Sequence, residues 1–133
     1  MKPSPSAPVF QKTARRALLL VIPAMIIMVI LADRNALPGF ILDLIDTPNM
    51  DKVLHFLLMG GLAFVLMLAL PAHWQIGGIL ILTAVIGLEE ISQSLFPERS
   101  SSLEDFAAST LGVLALGGLA IWLSRRSSRL KKA

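Results

Sequence analysis
The chain has no cysteine among its 133 residues, so it holds no disulfide frame, no thiol nucleophile and no thiolate metal site. It has two histidines and little charge, with 16% Asp, Glu, Lys and Arg against 55% hydrophobic residues. Together with a mean hydropathy of +0.73, that balance lies outside the range of a soluble globular domain and assigns the chain to a bilayer. Bases are scarce in the middle: only Arg34, Lys52 and Arg99 stand there against all nine acids, a net of −6. The overall charge of +3 therefore comes from the ends. Residues 1–16 contribute +4 (Lys2, Lys12, Arg15, Arg16) and residues 124–133 contribute +5 (Arg125, Arg126, Arg129, Lys131, Lys132). A pI of about 9.8 that arises from two short tails does not describe a nucleic-acid-binding surface. It is the pattern expected of two cytoplasmic termini, and hence of an even number of crossings, with contact to anionic lipid head groups accompanying it.

Four apolar segments can be drawn, over 17–32, 53–70, 76–95 and 106–123. Each approaches the ~20 residues needed to cross a hydrocarbon core about 30 Å thick. The expectation is a single all-α membrane domain over 1–133, a four-helix transmembrane bundle of a multi-pass protein. Pro23, midway along the first segment, removes a helical hydrogen bond. That segment with its basic lead also fits a signal peptide cut near Ala32; the long lead, and the odd helix count that cleavage would leave, argue against it. With both tails inside, loops 32–52 and 96–105 face outward. In the first, Leu37, Phe40, Ile41, Leu44 and Ile45 recur at helical spacing opposite Asp43 and Asp46, which predicts a short helix flat on the outer surface. Thr47 and Pro48 suit the cap and first position of the next helix. Ser101 and Glu104 have capping-box spacing and predict a helix from about residue 102. Ala108, Gly112 and Ala115 share a face on which a helix can approach closely, for packing within the bundle or for a homo-oligomer. No internal repeat is present.

The few mid-chain charges collect at one end of these helices. Asp51, Lys52 and His55 lie in the first turns of the second segment, Glu90 and Gln93 share a face near the end of the third, Arg99 follows, and Asp105 opens the fourth with Ser109 at i+4. An ionisable group costs about 2.5 to 3.5 kcal/mol at mid-bilayer and less near the interface. Asp51 and Asp105 are partly accounted for as helix-start carboxylates, and Lys52 and Arg99 as cations able to reach head groups. His55 and Glu90 are short side chains inside an apolar span, Glu90 about 9 Å below Phe96, so both require a paired or hydrogen-bonded setting. Glu89 is the alternative to Glu90, its side chain turned about 100° away and at i−4 from Gln93.

Asp51-Lys52-x-x-His55-Phe56, followed by Glu90-x-x-Gln93-x5-Arg99-x5-Asp105-x6-Gly112, resembles the VanZ-like family of small bacterial integral membrane proteins, named for an accessory protein of teicoplanin resistance. The resemblance covers about residues 48–118. Where the family often has Asn four residues after the aspartate, this chain has Ser109, so a hydroxyl replaces a side-chain amide. The resemblance implies a membrane-embedded fold and a functional set at these seven positions; it implies no defined activity, and resistance is one member's context.

Three kinds of function fit. The first is a polar pocket at the outer face, where Lys52, Arg99 and His55 bind a phosphate and Glu90, Gln93 and Asp105 orient them and contact sugar or peptide groups of a lipid or lipid-linked envelope precursor. His55 with Glu90 or Asp51 would supply acid and base if it is catalytic, although no Ser or Cys nucleophile motif is present and turnover is not indicated. The second is a non-enzymatic scaffold or interaction protein whose polar cluster is structural. The third, a proton relay or transporter using His55 and Glu90, needs more helices than one copy offers. His55, Glu90, Asp51 and Asp105 lack diagnostic metal-ligand spacing, so neither metal nor cofactor is expected.

Overall fold
The computed structural model describes residues 9–34, 36–95 and 102–130. Among the described residues the secondary structure is entirely helical: α1 (Val9–Asp33), α2 (Gly39–Ile45), α3 (Met50–Ala69), α4 (Gln75–Gln93), α5 (Leu103–Gly112), a π-helical turn (Val113–Gly117) and α6 (Gly118–Leu130). Four spans are long and apolar enough to cross a membrane: Val9–Ala32, Met50–Ala69, Gln75–Gln93 and the continuous run Leu103–Ser128. The chain has the helices of a multi-pass membrane protein.

α3 is central and touches every other helical element, whereas α1 rests mainly on α3. Consequently Leu19, Leu20, Ile26 and Ile27 of α1 are exposed, as befits side chains that face lipid tails. The core comprises Ala63 and Met67 of α3, Ile79, Leu82 and Ile86 of α4, and Val113, Ala120 and Ile121 of the last span. Hydrocarbon gains little by burial against hydrocarbon, so close fit has to hold such helices together. At the α3/α5 crossing a Cβ on Gly112 would overlap the Phe56 carbonyl, and one on Gly60 would lie 2.9 Å from the Gly112 oxygen. Gly112 is thus a packing residue within the bundle. Beyond it the wide turn advances the helix phase, so Gly117, not Ala115, continues the buried face, and Ala115 is exposed.

The helices gather their ends into two clusters of opposite character. At the basic end, Gln11 Nε2 and Arg15 Nε of α1 both donate to the Ala69 carbonyl at the end of α3, at 3.2 and 3.0 Å. There Gln75 Nε2, opening α4, donates to Met67 O (2.9 Å) and to Ser124 Oγ of α6 (3.1 Å). Trp74 and Trp122 are both exposed at this end, and the Arg126 guanidinium lies 5.2 Å from the Trp122 ring centre. At the acidic end meet the starts of α3 and α5 and the end of α4.

Several boundaries differ from the expected ones. α1 runs back to Val9 through its basic residues, because Lys and Arg are good helix formers and Gln11 and Arg15 find partners on α3. α3 is not capped by Thr47 with Pro48 as first position: the Thr47 hydroxyl donates back to Asp43 O at 3.4 Å, and Asn49, with φ of 61°, precedes the first helical residue Met50. Asn tolerates this left-handed conformation, and Asp51 and Lys52 remain in the first turns. For α5 the cap is Ser102, whose Oγ accepts from Asp105 N at 3.3 Å, one residue on from the expected Ser101, which lies outside the described residues. Three successive serines, 100–102, offered competing cap registers. α2 spans seven residues and packs on α3; Leu37, Ile41 and Ile45 are half-buried while Phe40 and Leu44 are exposed.

Candidate functional site
The first turns of α3 and α5 lie side by side at the acidic end, held together by the glycine crossing one to two turns deeper. That proximity sets Lys52 among carboxylates. Its Nζ is 3.1 Å from Asp51 Oδ2, 3.1 Å from Glu104 Oε2 and 4.0 Å from Asp105 Oδ1. Asp105 is 15% exposed at its side chain and Glu104 74%, so of these two acids only Asp105 is substantially withdrawn from solvent. Among the described residues Asp105 Oδ1 is buried with no hydrogen-bond partner, and the Lys52 ammonium lies 4.0 Å from it.

His55, one turn deeper, links the same helices. Its Nδ1 is 3.2 Å from Ser109 Oγ and its Nε2 4.0 Å from Asp105 Oδ2. Ser109 is 1% exposed, so this hydroxyl is the inward anchor of the imidazole.

The third helix joins through Glu90, which is 8% exposed. Its Oε1 accepts the backbone N–H of Ser102, one of the donors that a helix N-terminus leaves without an intrahelical acceptor. Glu90 therefore meets α5 at its cap, while His55 meets it at Asp105 and Ser109; Ser102 and Asp105, joined by the cap hydrogen bond, connect the two. Gln93, also buried, donates from Nε2 to Glu89 Oε1 at 2.6 Å, so its partner is the i−4 glutamate rather than Glu90 at i−3. The two glutamates divide the work, one reaching across to α5 and one holding the last turn of α4.

Beside Glu90 a cavity of about 360 Å³ opens between α4 and α5, lined by Gly87, Ile91, Ser94, Ser102, Leu103 and Phe106 as well. It presents one carboxylate and two serines to an otherwise apolar wall, and Ile91 and Leu103 carry that wall to the exposed surface. Of the seven expected site residues, Asp51, Lys52, His55, Glu90, Gln93 and Asp105 stand at this end, and Arg99 lies outside the described residues. Two participants were not anticipated as such: Glu104, read only as a capping residue, and Ser102. Among the described residues no three His, Asp or Glu side chains converge as a metal ion would need, and carboxylates outnumber cations. Such a set can accept hydrogen bonds from hydroxyl, amide or amine groups through its carboxylates while presenting one ammonium and one imidazole to an anion. No family model, curated protein or solved structure matches the chain.

Proposed function
We propose that the chain is a VanZ-like protein of a bacterial inner membrane, with both termini in the cytoplasm, α2 lying along the outer interface and the acidic end facing outward, where it binds the head group of a lipid or lipid-linked envelope precursor. One observation carries this reading: charged and polar side chains from three membrane-spanning helices converge at one end, beside an apolar-walled cavity that opens to the lipid-facing surface. The excess of carboxylate narrows the ligand. A bare phosphate would meet a lysine already flanked by Asp51 and Glu104, so the head group has to bring hydroxyl, amide or amine donors as well, as a sugar- or peptide-bearing precursor does. The gathering of both basic ends at the opposite pole supports the orientation.

Native mass spectrometry tests this with a polyprenyl-phosphate-linked sugar and, in parallel, phosphatidylglycerol as probes. Lys52→Ala, Arg99→Ala and Glu90→Gln should each weaken retention of the sugar-bearing lipid. Unchanged retention in all three rejects the reading. A second reading, a non-enzymatic scaffold whose polar cluster is structural, draws on the Glu90 bond to the α5 start and the ion pairs of Lys52; under it the same variants lower thermal stability and leave lipid retention alone.

A further inference from the structure
The basic end holds a second feature that the head-group reading does not use. The start of α1 and the end of α3 leave an open groove of about 670 Å³ between them, lined by Val9, Phe10, Thr13, Ala14, Ala17, Val65 and Leu68. Its wall is apolar apart from one threonine, and it lies on the hydrocarbon-facing side of two membrane spans. Arg15 is committed through Nε to the Ala69 carbonyl, on the other side of the α1/α3 contact. Lys12 and Arg16, one turn apart and adjacent in sequence to the lining residues Thr13 and Ala17, are exposed. An apolar slot flanked along α1 by two exposed cations is complementary to one molecule class that a bilayer supplies, an anionic phospholipid.

We propose that this groove binds one anionic phospholipid, an acyl chain lying along Ala14, Ala17 and Val65 and the phosphate meeting Lys12 and Arg16. This site is independent of the acidic end.

The test is native mass spectrometry of the full-length protein in detergent, titrated with dioleoyl phosphatidylglycerol and with dioleoyl phosphatidylcholine. The wild type should retain one phosphatidylglycerol in preference to phosphatidylcholine. Ala17→Phe, which fills the slot, should weaken retention of both lipids, and Lys12→Gln/Arg16→Gln should lower the phosphatidylglycerol affinity about thirtyfold, at about 1 kcal/mol per cation, while leaving phosphatidylcholine unchanged. Leu80→Ala, on the exposed face of α4 and outside the groove lining, should retain the lipid as the wild type does. Equal retention of the two lipids by the wild type, or undiminished phosphatidylglycerol binding in both groove variants at unchanged melting temperature, overturns the proposal. So does a wild-type dimer that Ala17→Phe converts to monomer with no change in bound lipid, since the groove would then belong to a second copy.

Discussion

Lys52 lies between an immediate sequence neighbour and two acids that open a helix more than fifty residues away, and those three partners differ in how much they can contribute. Glu104 is largely in solvent, where an ion pair is worth about 0–1 kcal/mol; Asp105 is mostly withdrawn and has an oxygen without a hydrogen bond. Glu104→Gln should therefore shift the melting temperature in detergent only slightly, whereas Asp105→Asn, which touches both Lys52 and His55, should lower it clearly, as followed by tryptophan fluorescence from Trp74 and Trp122. Equal effects of the two would contradict this account. At the opposite pole Gln75, 1% exposed, spends its amide on Met67 O and Ser124 Oγ. Gln75→Leu should lower the thermal-melt stability by about 1–2 kcal/mol, because it strands the Met67 carbonyl, whereas Ser124 Oγ keeps its bond to the Ile121 carbonyl.

Helices meet closely only where side chains are absent, and the glycines of this chain fall into two groups on that criterion. Gly112 and Gly60 are in van der Waals contact with the opposing helix, while Gly61 and Gly118 have open space where a Cβ would go. Gly112→Ala should force α3 and α5 apart at Phe56 and destabilise by about 1–3 kcal/mol. Gly61→Ala should be neutral, or stabilising by about 0.5–1 kcal/mol through helix propensity alone. Because the glycine crossing sets α3 against α5, Gly112→Ala should also disturb the His55–Ser109 contact one turn away, seen as a change in the His55 ring signals by NMR. The element boundaries that sequence reading missed share one cause. Thr47, the serine run and the basic lead of α1 each had more than one local option, and what chose among them was a neighbour from elsewhere in the fold: the end of α2, the Glu90 carboxylate and the Ala69 carbonyl.

For the molecule as a whole, the absence of cysteine makes the proposed orientation directly testable. In spheroplasts, Asp46→Cys in the turn after α2 should react with a membrane-impermeant maleimide, and Ser128→Cys should react only after permeabilisation; the reverse result would invert the topology. Hydropathy was enough to place four spans and to show an all-helical membrane protein, because an apolar run of that length has no other inexpensive state in water or lipid. Six of the seven site positions could be brought to one end by helix geometry alone, since direction along a span follows from counting crossings. Sequence could not assign partners. That Glu104 reaches Lys52, that Ser109 anchors His55 and that Gln75 locks α4 to α3 and α6 depend on how the helices are rotated and how far apart they stand. Hydropathy is blind to both, and close backbone approach at Gly60 and Gly112, with the phase advance of the wide turn after it, decided them.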